Sequence, residues 1–425
     1  MPIRRPSTPR RLVACLAATV LLVACTPGPT SAPTATSPAV LPTAQNPSPG
    51  SSAPPAAEVY SEIRTAVEAI RGLQPTADVD PVTIDEAQLR ANLTAEFDAE
   101  NTASDLRFSE ESLIALGLLP VGSSLRDLIL DFQGSSVAGY YSPDKNELFV
   151  VSRSGGLGPA EEVTYSHEFT HQLQDQHFDL GKLGQDATNQ SDRALAQLAL
   201  VEGDAVSVQN RWTIANLTPE EMGQLLTASL DPKALEALQR APAYLRETSL
   251  FPYLSGNPFV ESLIATGGGY QAVNDAFANP PASTEQILHP EKYATREAPI
   301  DVKLPADLAT KMGSGWTDAG QDTLGEVVLR LWLTQNGVPS VTASVAAAGW
   351  AGDRLVLLRG PSGDLTIGLR TEWDTAADAA DFAAAATTAA SARPSGQAVR
   401  HDAGTRVVLI GLGDGADRLV NLLGG

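Results

Sequence analysis

A chain of 425 residues with 50 Asp and Glu against 29 Lys and Arg carries a formal charge of −21 at pH 7. A surface this acidic repels a phosphate backbone, so no nucleic-acid partner is expected. Of the two cysteines, Cys15 and Cys25, the first falls in a segment expected to be removed, which leaves no disulfide and no thiolate metal site.

That segment comes first in the chain. Arg4, Arg5, Arg10 and Arg11 precede an apolar run over residues 12–24, the layout of a secretory signal. The run is about 13 residues long, short of the ~20 that a spanning helix needs. Leu22-Val23-Ala24-Cys25 resembles the lipobox of bacterial lipoproteins, in which the cysteine becomes the lipid-bearing first residue. Residues 1–24 are therefore expected to be a signal peptide and Cys25 a lipid anchor, the chain's one membrane contact, on the extracytoplasmic side of the cell membrane. Loss of four arginines and no acid moves the net charge from −21 to −25. Residues 26–57 hold nine prolines, ten Ser or Thr and no charged residue, too little apolar surface to fold, so residues 25–57 read as a disordered tether. Extended, it reaches up to ~100 Å at about 3 Å per residue.

The remaining chain reads as two α+β domains, residues 58–315 and 316–425. Residues 58–74 and 86–97 have the 3.6-residue periodicity of amphipathic helices. Runs 137–141 and 147–151 flank the turn-rich Ser142-Pro143-Asp144-Lys145-Asn146 as a hairpin, and a glycine-rich loop over 154–159 leads into a helix near Ala160. A second helix is expected over 192–212. Beyond residue 315, a helix places Leu324, Val327, Val328 and Leu331 on one face. Strands over 355–358 and 365–369 surround Pro361-Ser362-Gly363-Asp364, Thr375 with Asp378 opens an alanine-rich helix as a capping box, and a strand over 407–410 leads to a terminal helix. Gly411, Gly413 and Gly415 read as a plain strand-to-helix turn, because no βαβ unit can follow so near the C-terminus.

Two of the five histidines lie in His167-Glu168-Phe169-Thr170-His171. Four residues apart on a helix, both imidazoles can approach one metal ion, while Glu168, about 100° round, can reach a water beside it. A catalytic zinc needs a third protein ligand and an open position. Glu202 is one candidate, because its same-face neighbours Leu195, Leu198, Ala199, Ala205 and Val206 are all apolar, and a carboxylate in such a stripe is costly unless a charge meets it. Arg193 or Arg211 could also supply that charge. His177 is the rival ligand: its spacing follows HExxHxxGxxH, but Gln174 stands at the glycine position, so the helix should continue and carry His177 away.

An HExxH helix followed by a Glu on a second helix resembles the gluzincins, the thermolysin-like zinc metallopeptidases. His167 through Asp175 and Val201-Glu202-Gly203-Asp204-Ala205 also look like segments of a group of predicted bacterial metallopeptidases. The resemblance covers roughly residues 137–295. It implies a zincin-like domain, zinc held by His167, His171 and Glu202, Glu168 as general base, and a peptide or protein substrate. Thermolysin-like enzymes place an Asp four residues after the third ligand, where this chain has Val206; Asp204, about 200° from Glu202, cannot simply inherit that role. An edge strand beside the active helix is the usual substrate site, and 147–151 is the expected one. His289 or Tyr293 could stabilise the oxyanion, or their loop could merely pack. Two other readings stand beside a peptidase: a catalytically inactive zinc-binding envelope lipoprotein acting as scaffold or binding module, and a non-metal solute- or surface-binding lipoprotein with a chance motif.

Overall fold

A computed structural model of the chain describes residues 56–151, 157–183, 189–230, 232–393 and 396–424. The expected signal peptide, Cys25, nearly all of the tether and residues 154–156 of the 154–159 loop lie outside the described residues. Among the described residues no helix is long and apolar enough to cross a membrane.

The fold is α+β, with two sheets and many helices. The first part runs α1 (Ala56–Arg71), β1 (Pro81–Ile84), α2 (Glu86–Glu100), α3 (Ala103–Leu116), α4 (Leu125–Ser136), β2 (Gly139–Ser142) and β3 (Glu147–Val151). Asp85 caps α2: its carboxylate accepts from the Gln88 backbone N–H at 2.8 Å, and the Gln88 side chain accepts from the Asp85 N–H at 3.1 Å. β2 and β3 form the expected antiparallel hairpin. The strand order β1-β3-β2 corrects one expectation, since β3 is the central strand and not an edge. Leu148, Phe149, Val150 and Val151 are all buried, as suits a strand covered on both faces.

Two long helices follow, α5 (Pro159–Phe178) and α6 (Ser191–Asn216), packed against each other. Every residue of α5 from Val163 to Gln174 is buried. A helix enclosed all round sits at the centre of a molecule rather than on its surface, and α5 packs against α1, α6, β2 and β3. The chain continues as α7 (Pro219–Ser229), α8 (Pro232–Arg240), α9 (Ala243–Leu254), α10 (Gly256–Leu263), α11 (Tyr270–Ala278), α12 (Thr284–Leu288) and α13 (Pro290–Ala294). α10 crosses α6 with almost no space between the backbones. A Cβ on Gly203 would stand 2.3 Å from the Gly256 carbonyl, and one on Gly256 would stand 2.0 Å from the Ala199 oxygen. The two glycines are thus what allows α10 to press α6 next to Glu202.

The last part runs α14 (Leu308–Met312), β4 (Thr317–Asp322), α15 (Gly325–Gln335), α16 (Ser340–Ala347), β5 (Trp350–Arg359), β6 (Leu365–Trp373), α17 (Ala376–Ser391), β7 (Gln397–His401), β8 (Val407–Leu412) and α18 (Ala416–Leu423). Its sheet is antiparallel throughout, in the order β4-β5-β6-β8-β7. Thr375 and Asp378 form the expected capping box on α17. Gly413 and Gly415 take positive φ in the turn between β8 and α18. The apolar core of this part includes Leu113, Leu116, Leu118, Leu119 and Leu125, and the core around α6 takes in Val327 and Leu331 of α15. Packing therefore continues across residue 316.

Three buried or half-buried carboxylates sit at helix starts, and the first of them joins the last part of the chain to α6. Asp322 accepts from the Ser191 N–H at 2.9 Å at the head of α6, Asp192 accepts from the Thr284 N–H at 3.2 Å at the head of α12, and Asp353 accepts from Leu324 and Gly325 N–H at 2.9 and 2.8 Å at the head of α15. Each anion meets the positive end of a helix, which is what makes its burial tolerable. Burial still pushes Asp353 up to about 6 despite these donors, and Asp192 well above the ordinary carboxylate value despite Thr284. Unfolded aspartates titrate near ~3.9, so the stability that Asp353 contributes is fully present below that and is lost as pH rises through about 6, and Asp192 acts in the same direction. We expect thermal unfolding at a higher temperature at about pH 5 than at about pH 7.5, with Asp353→Asn shrinking the difference; an unchanged difference in the variant would contradict the assignment.

Candidate metal centre

His167 and His171 project from one face of α5, their rings 4.6 Å apart and nearly perpendicular at 81°. Their Nε2 atoms are 3.0 Å apart. Glu202, from the middle of α6, brings Oε2 to 3.3 Å from His167 Nε2 and 3.5 Å from His171 Nε2. A tetrahedral ion with bonds of ~2.0–2.1 Å separates neighbouring ligand atoms by about 3.3 Å, so the triangle has the size such an ion needs and leaves its fourth corner open. The three residues are buried, at 0, 2 and 1% exposure, and they form a cluster that could hold a metal ion.

Burial alone would push the Glu202 carboxyl up, but the charge on His171 and contacts from both imidazoles hold it at about 2. Burial disfavours the charged form of His171 as well; the Glu202 carboxylate, with Glu168 behind it, outweighs this and raises it to about 9. His167 goes the other way, lowered by burial and by its charged neighbour against the pull of Glu202. The cluster is thus a buried anion balanced by a buried cation. One divalent cation at the centre could replace that proton-borne charge.

Glu168 is fully buried on the same turn. β2 passes directly beside it, because a Cβ on Gly139 would stand 3.3 Å from Glu168 Cγ, 2.6 Å from Thr164 Cγ2 and 2.8 Å from the Phe149 oxygen. Tyr253 of α9 stacks on His167 with centroids 6.2 Å apart.

Behind His171 lies a second polar layer. His171 Nδ1 is 2.8 Å from Gln174 Oε1, and Gln174 Nε2 donates to the Val201 carbonyl at 3.0 Å and to Asp204 Oδ2 at 2.9 Å. Arg71, at the end of α1, donates Nε to the same Asp204 oxygen at 2.9 Å, both side chains fully buried. Its guanidinium lies over Tyr270 at 4.9 Å and Phe178 at 5.8 Å. Asp204 therefore does serve His171, through Gln174 rather than directly.

The other sequence candidates lie elsewhere. α5 continues through Phe178, and His177 Nε2 sits on the Gln74 carbonyl at 2.7 Å, exposed and outside the cluster. Arg211 pairs with Glu261 at 2.6 Å, and the partners of Glu202 are the two histidines. His289 Nε2 lies 3.1 Å from Glu326 Oε2, and the Tyr293 hydroxyl donates to the Asn279 carbonyl at 2.9 Å. Both oxyanion candidates are thus engaged by partners that do not belong to the cluster. Sequence reasoning missed Gln174 as a partner of His171, although three residues along a helix is a contact spacing. Arg71, 133 positions from Asp204, carried no local signal.

A family model described as Domain of unknown function (DUF8575) matches residues 311–419. The matched segment spans most of the last part of the chain and contains none of the three clustered residues. No curated protein and no solved structure matches the chain.

Removing the cation of a buried pair leaves a charge without compensation. Arg71→Met is expected to cost about 3–5 kcal/mol in urea unfolding, and a loss below about 1 kcal/mol would show that Asp204 does not depend on it.

Proposed function

We propose that the chain is a zinc-dependent peptidase of the gluzincin type with a zincin-like catalytic domain, held by a lipid on Cys25 at the extracytoplasmic face of the cell membrane. The observation that carries this reading is the buried triangle of His167, His171 and Glu202 with an acid, Glu168, on the same helical turn. Two imidazoles and one carboxylate suit zinc, and they leave one position for water or substrate. Zinc bound there supplies a Lewis acid for water and for the scissile carbonyl. Glu168 takes the proton from the attacking water and passes it to the leaving amine. β2, terminal in its sheet and adjacent to Glu168, is the strand on which an extended peptide would pair, in place of β3.

Burial of the whole cluster favours one further reading, a zinc-binding envelope lipoprotein that has no catalysis and acts as scaffold or binding module. The two separate on one pair of measurements. Elemental analysis of the purified chain should find about one zinc, lost in Glu202→Ala, and chelator-sensitive cleavage of casein should accompany it. Glu168→Gln should keep the zinc while kcat falls by about 10²–10⁴. Zinc without cleavage in the wild type would support the scaffold, and no zinc at all would remove both.

A further inference from the structure

We infer that Gln174, itself held by Asp204 and Arg71, is the positioning residue that fixes the tautomer of His171 and thereby tunes the affinity of the metal centre. The inference rests on the metal-centre reading above. Its starting point is the orientation of one amide. Gln174 faces two acceptors at one end, the Val201 carbonyl at 3.0 Å and Asp204 Oδ2 at 2.9 Å, and neither can donate as a carbonyl or a carboxylate. The NH₂ group must lie at that end, because the reversed amide would press an oxygen against two others.

Gln174 Oε1 is then left facing His171 Nδ1 at 2.8 Å, and an amide oxygen only accepts. Nδ1 must carry the proton. In a neutral imidazole the lone pair then sits on Nε2, the atom that points into the triangle 3.5 Å from Glu202 Oε2. A metal-ligating histidine is commonly oriented in this way through its other nitrogen, by a carboxylate, a carbonyl or water. Here a carboxamide does it, and the carboxylate stands one step further back.

The outer members explain why the amide does not turn. Asp204 Oδ2 accepts from Arg71 Nε and from Gln174 Nε2 together, in a site with no measurable exposure. Arg71 is confined by the rings of Tyr270 and Phe178. Gln174 also binds the α6 backbone at Val201, one residue before Glu202. The same side chain thus orients one ligand and ties its helix to the helix that bears another.

The test is Zn²⁺ affinity of the full chain, by competition with a chromophoric chelator, with the melting temperature of the metal-free chain as a control on folding. Gln174→Leu keeps the approximate volume and removes the acceptor; affinity should fall about 10- to 100-fold. A second measurement uses the wild type: ¹⁵N NMR of the zinc-loaded full chain should show His171 with its proton on Nδ1 and Nε2 as the ligating nitrogen. Zinc bound through His171 Nδ1, with the proton on Nε2, overturns the inference even if Gln174→Leu fails to fold. So does unchanged affinity in Gln174→Leu when His171→Ala loses zinc, and that result leaves the metal centre standing. A wild-type chain that takes up no zinc overturns the metal centre and this relay with it.

Discussion

Burial of the Glu202 carboxylate is the constraint around which the molecule is arranged. An ionised acid in an apolar interior costs several kcal/mol unless charge and hydrogen-bond donors meet it. The surroundings of Glu202 on α6 are apolar, and its compensation comes entirely from α5, as two imidazoles within 3.5 Å. The crossing of α5 and α6 must therefore be held to within a fraction of an ångström, and the features nearby serve that end. Gly203 and Gly256 let α10 press on α6 from one side, Gly139 lets β2 press on α5 from another, and Gln174 ties the two helices together between them.

The same logic extends outward. Arg71 and Asp204 form a second buried ion pair whose anion comes from α6 and whose cation ends α1, so the first helix after the expected tether contributes to the layer behind the candidate metal centre. At the N-terminal end of α6, Asp322 caps the helix that carries Glu202, and Asp192 and Asp353 in turn meet the starts of α12 and α15. The segment matched by a family of unknown function thus sits against the head of the helix that supplies the third candidate ligand, and its core is shared with α3 and α6. It holds the head of α6 through Asp322, which accepts from the Ser191 backbone and hydroxyl.

Much of the site was legible because its signals are local. His167 and His171 are four apart, Glu168 lies between them, and a Gln at position 174 rather than a glycine predicts a helix that carries His177 past the cluster, which is where the structure has it. Glu202 was legible as a lone acid in an apolar stripe. Apart from Gln174, what escaped depended on contacts between distant segments. The order β1-β3-β2 puts β3 at the centre only because β1 pairs beside it, and although Val82, Thr83 and Ile84 are strand formers, a four-residue run starting with a proline does not show which strand it joins. Arg71 and Tyr253 reach the site through packing that no periodicity encodes. His289 and Tyr293 looked available because a linear sequence does not show Glu326 or the Asn279 carbonyl waiting for them.

The central claim is that α5 and α6 cross in order to hold one metal ion. Anomalous diffraction at the zinc edge, on crystals of the chain grown with equimolar Zn²⁺, tests it directly. The account predicts a single strong peak about 2.0–2.2 Å from His167 Nε2, His171 Nε2 and a Glu202 oxygen. A peak elsewhere, or none with the three side chains still in contact, would mean that the triangle is a charge-balanced core cluster and not a metal centre.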